Sequence, residues 1–116
     1  MGKLSTHVLD TAHGRPAVGM KIQLHRVEGN VLTLLKSVTT NADGRTDEPL
    51  LAGETLVAGT YQLTFHVGDY FSTAGSADAG KFLQDVPVVF VVRDAAASYH
   101  VPLLFSPWSY STYRGS

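Results

Sequence analysis

Met20, Ile22 and Leu24 alternate with Lys21, Gln23 and His25, a period of two that predicts a strand with one face in a core and one in water. Tyr61, Leu63, Phe65 and Val67 alternate with Gln62, Thr64 and His66 in the same way. Between them, residues 31–39 are rich in Val, Leu and Thr and read as a further strand. Glu28-Gly29-Asn30, a short glycine-bearing hairpin, joins it to the first. A weaker strand is expected at residues 55–57, after the turn-rich stretch 41–49. Residues 4–9 form a strand-like run near the start of the chain.

The C-terminal third is patterned differently. Residues 86–92 (VPVVFVV) are apolar on both faces apart from Pro87, so this strand needs cover on both sides. Tyr99, Val101, Leu103 and Phe105 make one stripe, and His100, Pro102 and Leu104 make the opposite one. Pro87 and Pro102 each remove a ladder donor and are expected at strand ends, bulges or edges. A last strand is expected at 108–114, after the turn at Ser106-Pro107. One segment, 69–75, suits a two-turn helix with Asp69 as N-cap and Tyr70, Phe71 and Ala74 facing inward. Seven to eight short strands with one short helix predict an all-β, two-sheet sandwich.

With 116 residues the chain fits a single domain, 1–116. It has no cysteine, which excludes a disulfide framework, a thiolate zinc site and a Cys nucleophile. Nine Lys+Arg against ten Asp+Glu leave no field for polyanions, so nucleic acid is not an expected partner. Charged residues make up 16%, against roughly 25% in an average soluble domain, so part of the surface is expected to meet another copy of the chain. No apolar run approaches a membrane span. The start, MGKLST, has no apolar signal region, and a cytoplasmic location is expected. It also fits the loose myristoylation pattern, which is discounted as short.

Of the five histidines, His25 and His66 fall on the polar faces of their strands and read as exposed. His13 reads as an ordinary turn residue. No His-x-His or His-Glu-x-x-His spacing occurs, so no metal site is expected. By parity His7 shares a face with Leu9, and His100 shares one with Leu104. Either residue alone reads as structural, but together they point to a shared site. Arg45, in the Asp43-Gly44 turn, and Arg114 each read by themselves as solvated arginines. There is no G-x-S-x-G elbow and no glycine-rich phosphate loop. The residues alone lead to an oligomeric β-sandwich with a candidate His7/His100/Arg45 site.

Three stretches carry a resemblance. LSTHVLDTAHGRPA at 4–17 resembles the opening motif of the transthyretin-like family, and TTNADGRT at 39–46 resembles its second motif. YHVPLLFSPWSYSTYRGS at 99–116 resembles its third and most specific one. That family has a 5-hydroxyisourate hydrolase branch and a branch of thyroid-hormone carriers. The ending Tyr113-Arg114-Gly115-Ser116 resembles the hydrolase branch, and His7, Arg45 and His100 stand where its motifs place active-site residues. The resemblance implies a prealbumin-like sandwich assembled as a homotetramer, a dimer of dimers, with active sites in a channel between dimers. It implies hydrolysis of 5-hydroxyisourate in purine catabolism, with His7, Arg45, His100 and Ser116 catalytic. Substrate binding would fall to His7, Arg45, Tyr113, Arg114, Gly115 and Ser116, the last through its hydroxyl or a terminal carboxylate. No cofactor, metal, nucleic acid or membrane is implied, only a small-molecule substrate. A peroxisomal or periplasmic location would follow from a removed targeting segment. The alternatives are a carrier of a small aromatic ligand and an inert sandwich, and the two histidines and the tail argue against both.

Overall fold

In the computed structural model, which describes residues 2–115, the alternating segments become two facing sheets. Among the described residues the strands are β1 (Lys3–Asp10), β2 (Arg15–Pro16), β3 (Lys21–Glu28), β4 (Val31–Thr39) and β5 (Leu51–Ala52). They continue with β6 (Gly59–Phe65), β7 (Val86–Val92), β8 (Tyr99–Phe105) and β9 (Tyr110–Thr112), and helix α1 (Val67–Thr73) links β6 to β7. One sheet has the order β2-β1-β8-β9 with β5 also on β1, and the other has the order β4-β3-β6-β7. Two strands are two-residue ladders, so the seven longer ones make the predicted all-β sandwich. The pairing of β1 with β8 is parallel and joins the two ends of the chain.

The alternation decides what goes inside. Leu4 and Val8 of β1 meet Ile22 and Leu24 of β3, Tyr61, Leu63 and Phe65 of β6, and the stripe Tyr99, Val101, Leu103 and Phe105 of β8. Full burial of each such side chain contributes about 1.5–3 kcal/mol. Residues 86–92 are not covered on both faces within the chain, because Val89 and Val91 stay 58% and 56% exposed on the outer face. In register with them across that face lie Leu34 and Leu32 of the edge strand β4, also exposed.

Several expectations are corrected. The helix starts two residues before Asp69, with His66 at the N-cap and Asp69 in the first turn, and Ala74 is exposed. Val67, which completed the alternation of β6, belongs to the helix. The early start is possible because Gly68 lies against Gln84, whose Oε1 would be 2.2 Å from a Cβ there. Residues 53–55 form a 3-10 turn where a strand at 55–57 was expected. His66 is half-buried between Asp85 Oδ1 (3.1 Å) and Gln23 Oε1 (3.0 Å), and His25 is half-buried with an unpartnered Nδ1 among the described residues. The last strand stops at Thr112. Pro102 lies in mid-strand, and the register Leu104↔Ser111 continued to the isolated bridge His100↔Gly115 puts it opposite Tyr113. Pro102 has no N–H to give there, so the ladder breaks and resumes only at Gly115. The Thr112 hydroxyl takes the Pro102 carbonyl instead, at 2.8 Å.

His13 is not a free turn residue. Its Nδ1 lies 2.7 Å from Oδ2 of the buried Asp10, its backbone N–H donates to Oδ1, and the Tyr70 hydroxyl donates to Oδ2 at 2.8 Å. Burial raises the Asp10 carboxyl, but the hydrogen bonds from Tyr70 and His13 outweigh it and hold the carboxyl below its ordinary value. Burial, and then Asp10, push the Tyr70 phenol up to about 12. A carboxyl lowered on folding stabilises the fold above its unfolded value, and that contribution is lost as pH falls through the folded value. Tyr70→Phe removes one donor, so it is expected to cost about 1.5–3 kcal/mol and to shift acid unfolding to higher pH. Melting temperature against pH checks this, and an unmoved acid limb would refute it.

Candidate active site

The parallel register of β1 and β8 sets Ser5 opposite His100 and His7 opposite Pro102. Both histidines therefore lie on the face turned away from the core, displaced by about 7 Å along the strands. Both are half-buried. The parity seen in sequence is what brings them together.

On its other edge β1 is paired only at its ends, by β5 and β2, and residues 41–47 fill the gap. Val8 N–H donates to Gly44 O at 2.8 Å. Gly44 has φ +72°, and a Cβ there would stand 2.4 Å from Val8 O, so close approach and backbone conformation both call for glycine. Asn41 shapes the loop, its Oδ1 accepting from the N–H groups of Asp43 (2.9 Å) and Arg45 (3.2 Å). The Asp43 carbonyl then accepts from His7 Nε2–H at 2.9 Å. A carbonyl can only accept, so His7 carries a proton on Nε2 and keeps Nδ1 for other work. The same loop holds Arg45 exposed beside this face.

His100 Nδ1 lies 2.9 Å from Ser5 Oγ. On the other flank of the ring, Gly115 N–H donates to His100 O at 2.7 Å, and a Cβ on Gly115 would come within 2.7 Å of His100 Cδ2. Burial first, then the charges of Arg45, His7 and Lys3, hold the His100 imidazole below its ordinary value of 6.5. The ring is therefore neutral near pH 7, as a base must be.

Tyr113, Arg114 and Gly115 line an open hollow with His100, and Ser5 lines a neighbouring recess with Lys3 and Arg45. The Arg114 guanidinium itself turns to the sheet edge, 4.2 Å over the Tyr99 ring, and donates to Ser98 O at 3.1 Å. Ser116 lies outside the described residues. Among those described, no three His, Cys, Asp or Glu side chains converge as metal ligands would, and no helix is long and apolar enough to cross a membrane. Sequence reasoning missed Ser5 and Asn41. The only signal for Ser5 was its place two residues before His7, on the same strand face.

Comparisons place this geometry. A family model described as "HIUase/Transthyretin family" matches residues 4–115. The chain is 56% identical over 116 residues to 5-hydroxyisourate hydrolase 2 of Rhizobium meliloti, covering 99% of this chain and 97% of that one. Its structure is similar to that of (S)-allantoin synthase, with a TM-score of 0.92 and 44% identity over 99% of this chain, which spans 44% of that longer one. It is also similar to sea bream transthyretin in complex with thyroxine, with a TM-score of 0.87 and 26% identity, covering 97% of this chain and 94% of that one. The sandwich is shared by both branches, while sequence identity is far higher to the hydrolase. Matched in motif order and along nearly its whole length, the chain belongs to the HIUase/Transthyretin family.

Proposed function

We infer that this protein hydrolyses 5-hydroxyisourate, opening its six-membered ring to 2-oxo-4-hydroxy-4-carboxy-5-ureidoimidazoline in urate catabolism. The observation that carries this reading is the pair of imidazoles on one sheet face beside Arg45, in a chain 56% identical to a 5-hydroxyisourate hydrolase. The carrier reading draws support from the shared sandwich alone.

In this reading His100 is the general base. Water is a poor nucleophile at pH 7, and a positioned neutral imidazole contributes about 10²–10⁴-fold, or about 3–5 kcal/mol. His100 Nε2 takes a proton as the water oxygen bonds to the ring carbonyl carbon. The oxyanion that forms is met by Arg45, whose planar guanidinium stays charged. When the C–N bond breaks, the proton on His100 passes to the departing nitrogen, and the carbonyl carbon is left as a carboxylic acid that gives its remaining water proton to solvent as it becomes a carboxylate. His7, anchored through Nε2–H on Asp43, orients the water or the substrate. Tyr113, Arg114 and Gly115 are assigned to the wall of the hollow, and the catalytic and binding role expected of Ser116 rests on the family resemblance alone.

We place this activity in a single domain, 1–116, working in the cytoplasm as a homotetramer. The exposed Val89 and Val91 and the low charge content support assembly. Loss of ultraviolet absorbance from freshly generated hydroxyisourate, with and without protein, tests the activity. An unchanged decay rate would refute it. Because burial, then the charges of Arg45, His7 and Lys3, hold His100 below its ordinary value, the acid limb of kcat/KM should have its midpoint below the 6.5 of an unperturbed imidazole. High salt, which screens Arg45 and Lys3, should move the drop back toward neutrality. A pH–rate profile at two ionic strengths reads both effects.

A further inference from the structure

Ser5 has no part in the chemistry assigned to His7, Arg45 and His100, yet its hydroxyl lies 2.9 Å from His100 Nδ1 across the β1–β8 ladder. The ring is gripped on both flanks, by Ser5 at Nδ1 and by Gly115 against Cδ2. Those contacts leave Nε2 at the far end of the imidazole. A neutral imidazole carries one proton on two nitrogens, so whatever Nδ1 does decides whether Nε2 holds a lone pair.

We propose that Ser5 is a positioning residue for His100, its oxygen accepting from Nδ1–H and so fixing the tautomer that keeps the lone pair on Nε2. This rests on the reading of His100 as the base. When Nε2 takes the proton of water, the same bond persists and strengthens, because its donor is then charged. The arrangement copies the orienting half of a nucleophile–base–acid triad with a neutral oxygen in place of a carboxylate. That choice suits this face. A carboxylate at Ser5 would draw the imidazole toward its protonated form, against the burial and the charges of Arg45, His7 and Lys3 that hold it low.

The test compares wild type, Ser5→Ala, Ser5→Thr and His100→Ala. In the substrate-free wild type, nitrogen NMR of the imidazoles is expected to show His100 protonated on Nδ1, and Ser5→Ala should show a mixture of tautomers. For Ser5→Ala, kcat should fall about 10-fold with KM little changed. Its acid limb should move to lower pH, because the imidazolium has lost an acceptor. Ser5→Thr, which keeps the hydroxyl, should restore both tautomer and rate. A wild-type His100 protonated on Nε2, or a Ser5→Ala protein with wild-type rate and tautomer, overturns the proposal. So does an acyl adduct on Ser5 in rapid-quench mass spectrometry of wild type, which would make Ser5 the nucleophile. A His100→Ala protein with full turnover overturns the base reading instead, and the tautomer measurement made without substrate tells the two failures apart.

Discussion

His100→Ala is expected to lower kcat/KM by about 10²–10⁴-fold, with the fold and the proposed tetramer retained. The side chain lies on the outer face of its strand and is half-buried, while the core contacts of β8 are made by Tyr99, Val101, Leu103 and Phe105. Alanine keeps the backbone bond from Gly115 and removes only the ring. His7→Ala is expected to lose most turnover as well, because it removes the imidazole that, anchored on the Asp43 carbonyl, orients the water or the substrate. Steady-state kinetics, with mass by light scattering, separates the cases. Near wild-type rates in either variant refute its role, and loss of assembly would show that residue to be structural.

Removing residues 113–116 should reduce turnover at least about 100-fold. The cut falls just after β9, so the strand and its pairing with β8 stay intact. What goes is the Gly115 bond to His100, the surface that Gly115 lays along the imidazole, and the wall formed by Tyr113 and Arg114. Stability should fall only slightly, since the Arg114–Tyr99 contact contributes about 0.5–2 kcal/mol. The milder Arg114→Lys change should be impaired too, because an ammonium cannot lie flat on the Tyr99 ring while reaching Ser98 O, and the tail beside His100 loses that hold. A truncated protein with full activity would leave the tail as edge packing. One that dissociates would make it an assembly element.

Strands such as β4 and β7 were legible to the residue, because runs rich in β-branched and other apolar residues between turn signals mark strands even where no alternation shows. The pairing of His7 and His100 on one face followed from strand parity. The helix start did not, since Val67 satisfies both a strand's alternation and a helix's inner face. The overlong final strand was misread for a similar reason. Its residues suit a sheet, and the break comes from Pro102 on the neighbouring strand, a cross-strand effect that shows only once the register is known. Ser5 and Asp10 were invisible in the same sense. Their partners, His100 and Tyr70, stand 95 and 60 positions away.

The parallel ladder between β1 and β8 has a consequence for how the protein comes into being. Nearby in sequence β1 finds only the two-residue strands β2 and β5 at its ends, and it must wait for nearly the whole chain to follow before β8, its one long partner among the described residues, exists. Closing so long a loop carries an entropic cost that grows with the logarithm of its length, and non-local pairings of this kind slow folding. On the ribosome, β1 emerges long before the strand that completes its ladder. The base and its serine meet only when that final join is made, so a nascent or interrupted chain has no active site at all. Recovery of activity during refolding should therefore lag behind formation of the β3–β4 hairpin and coincide with protection of the β1 amides.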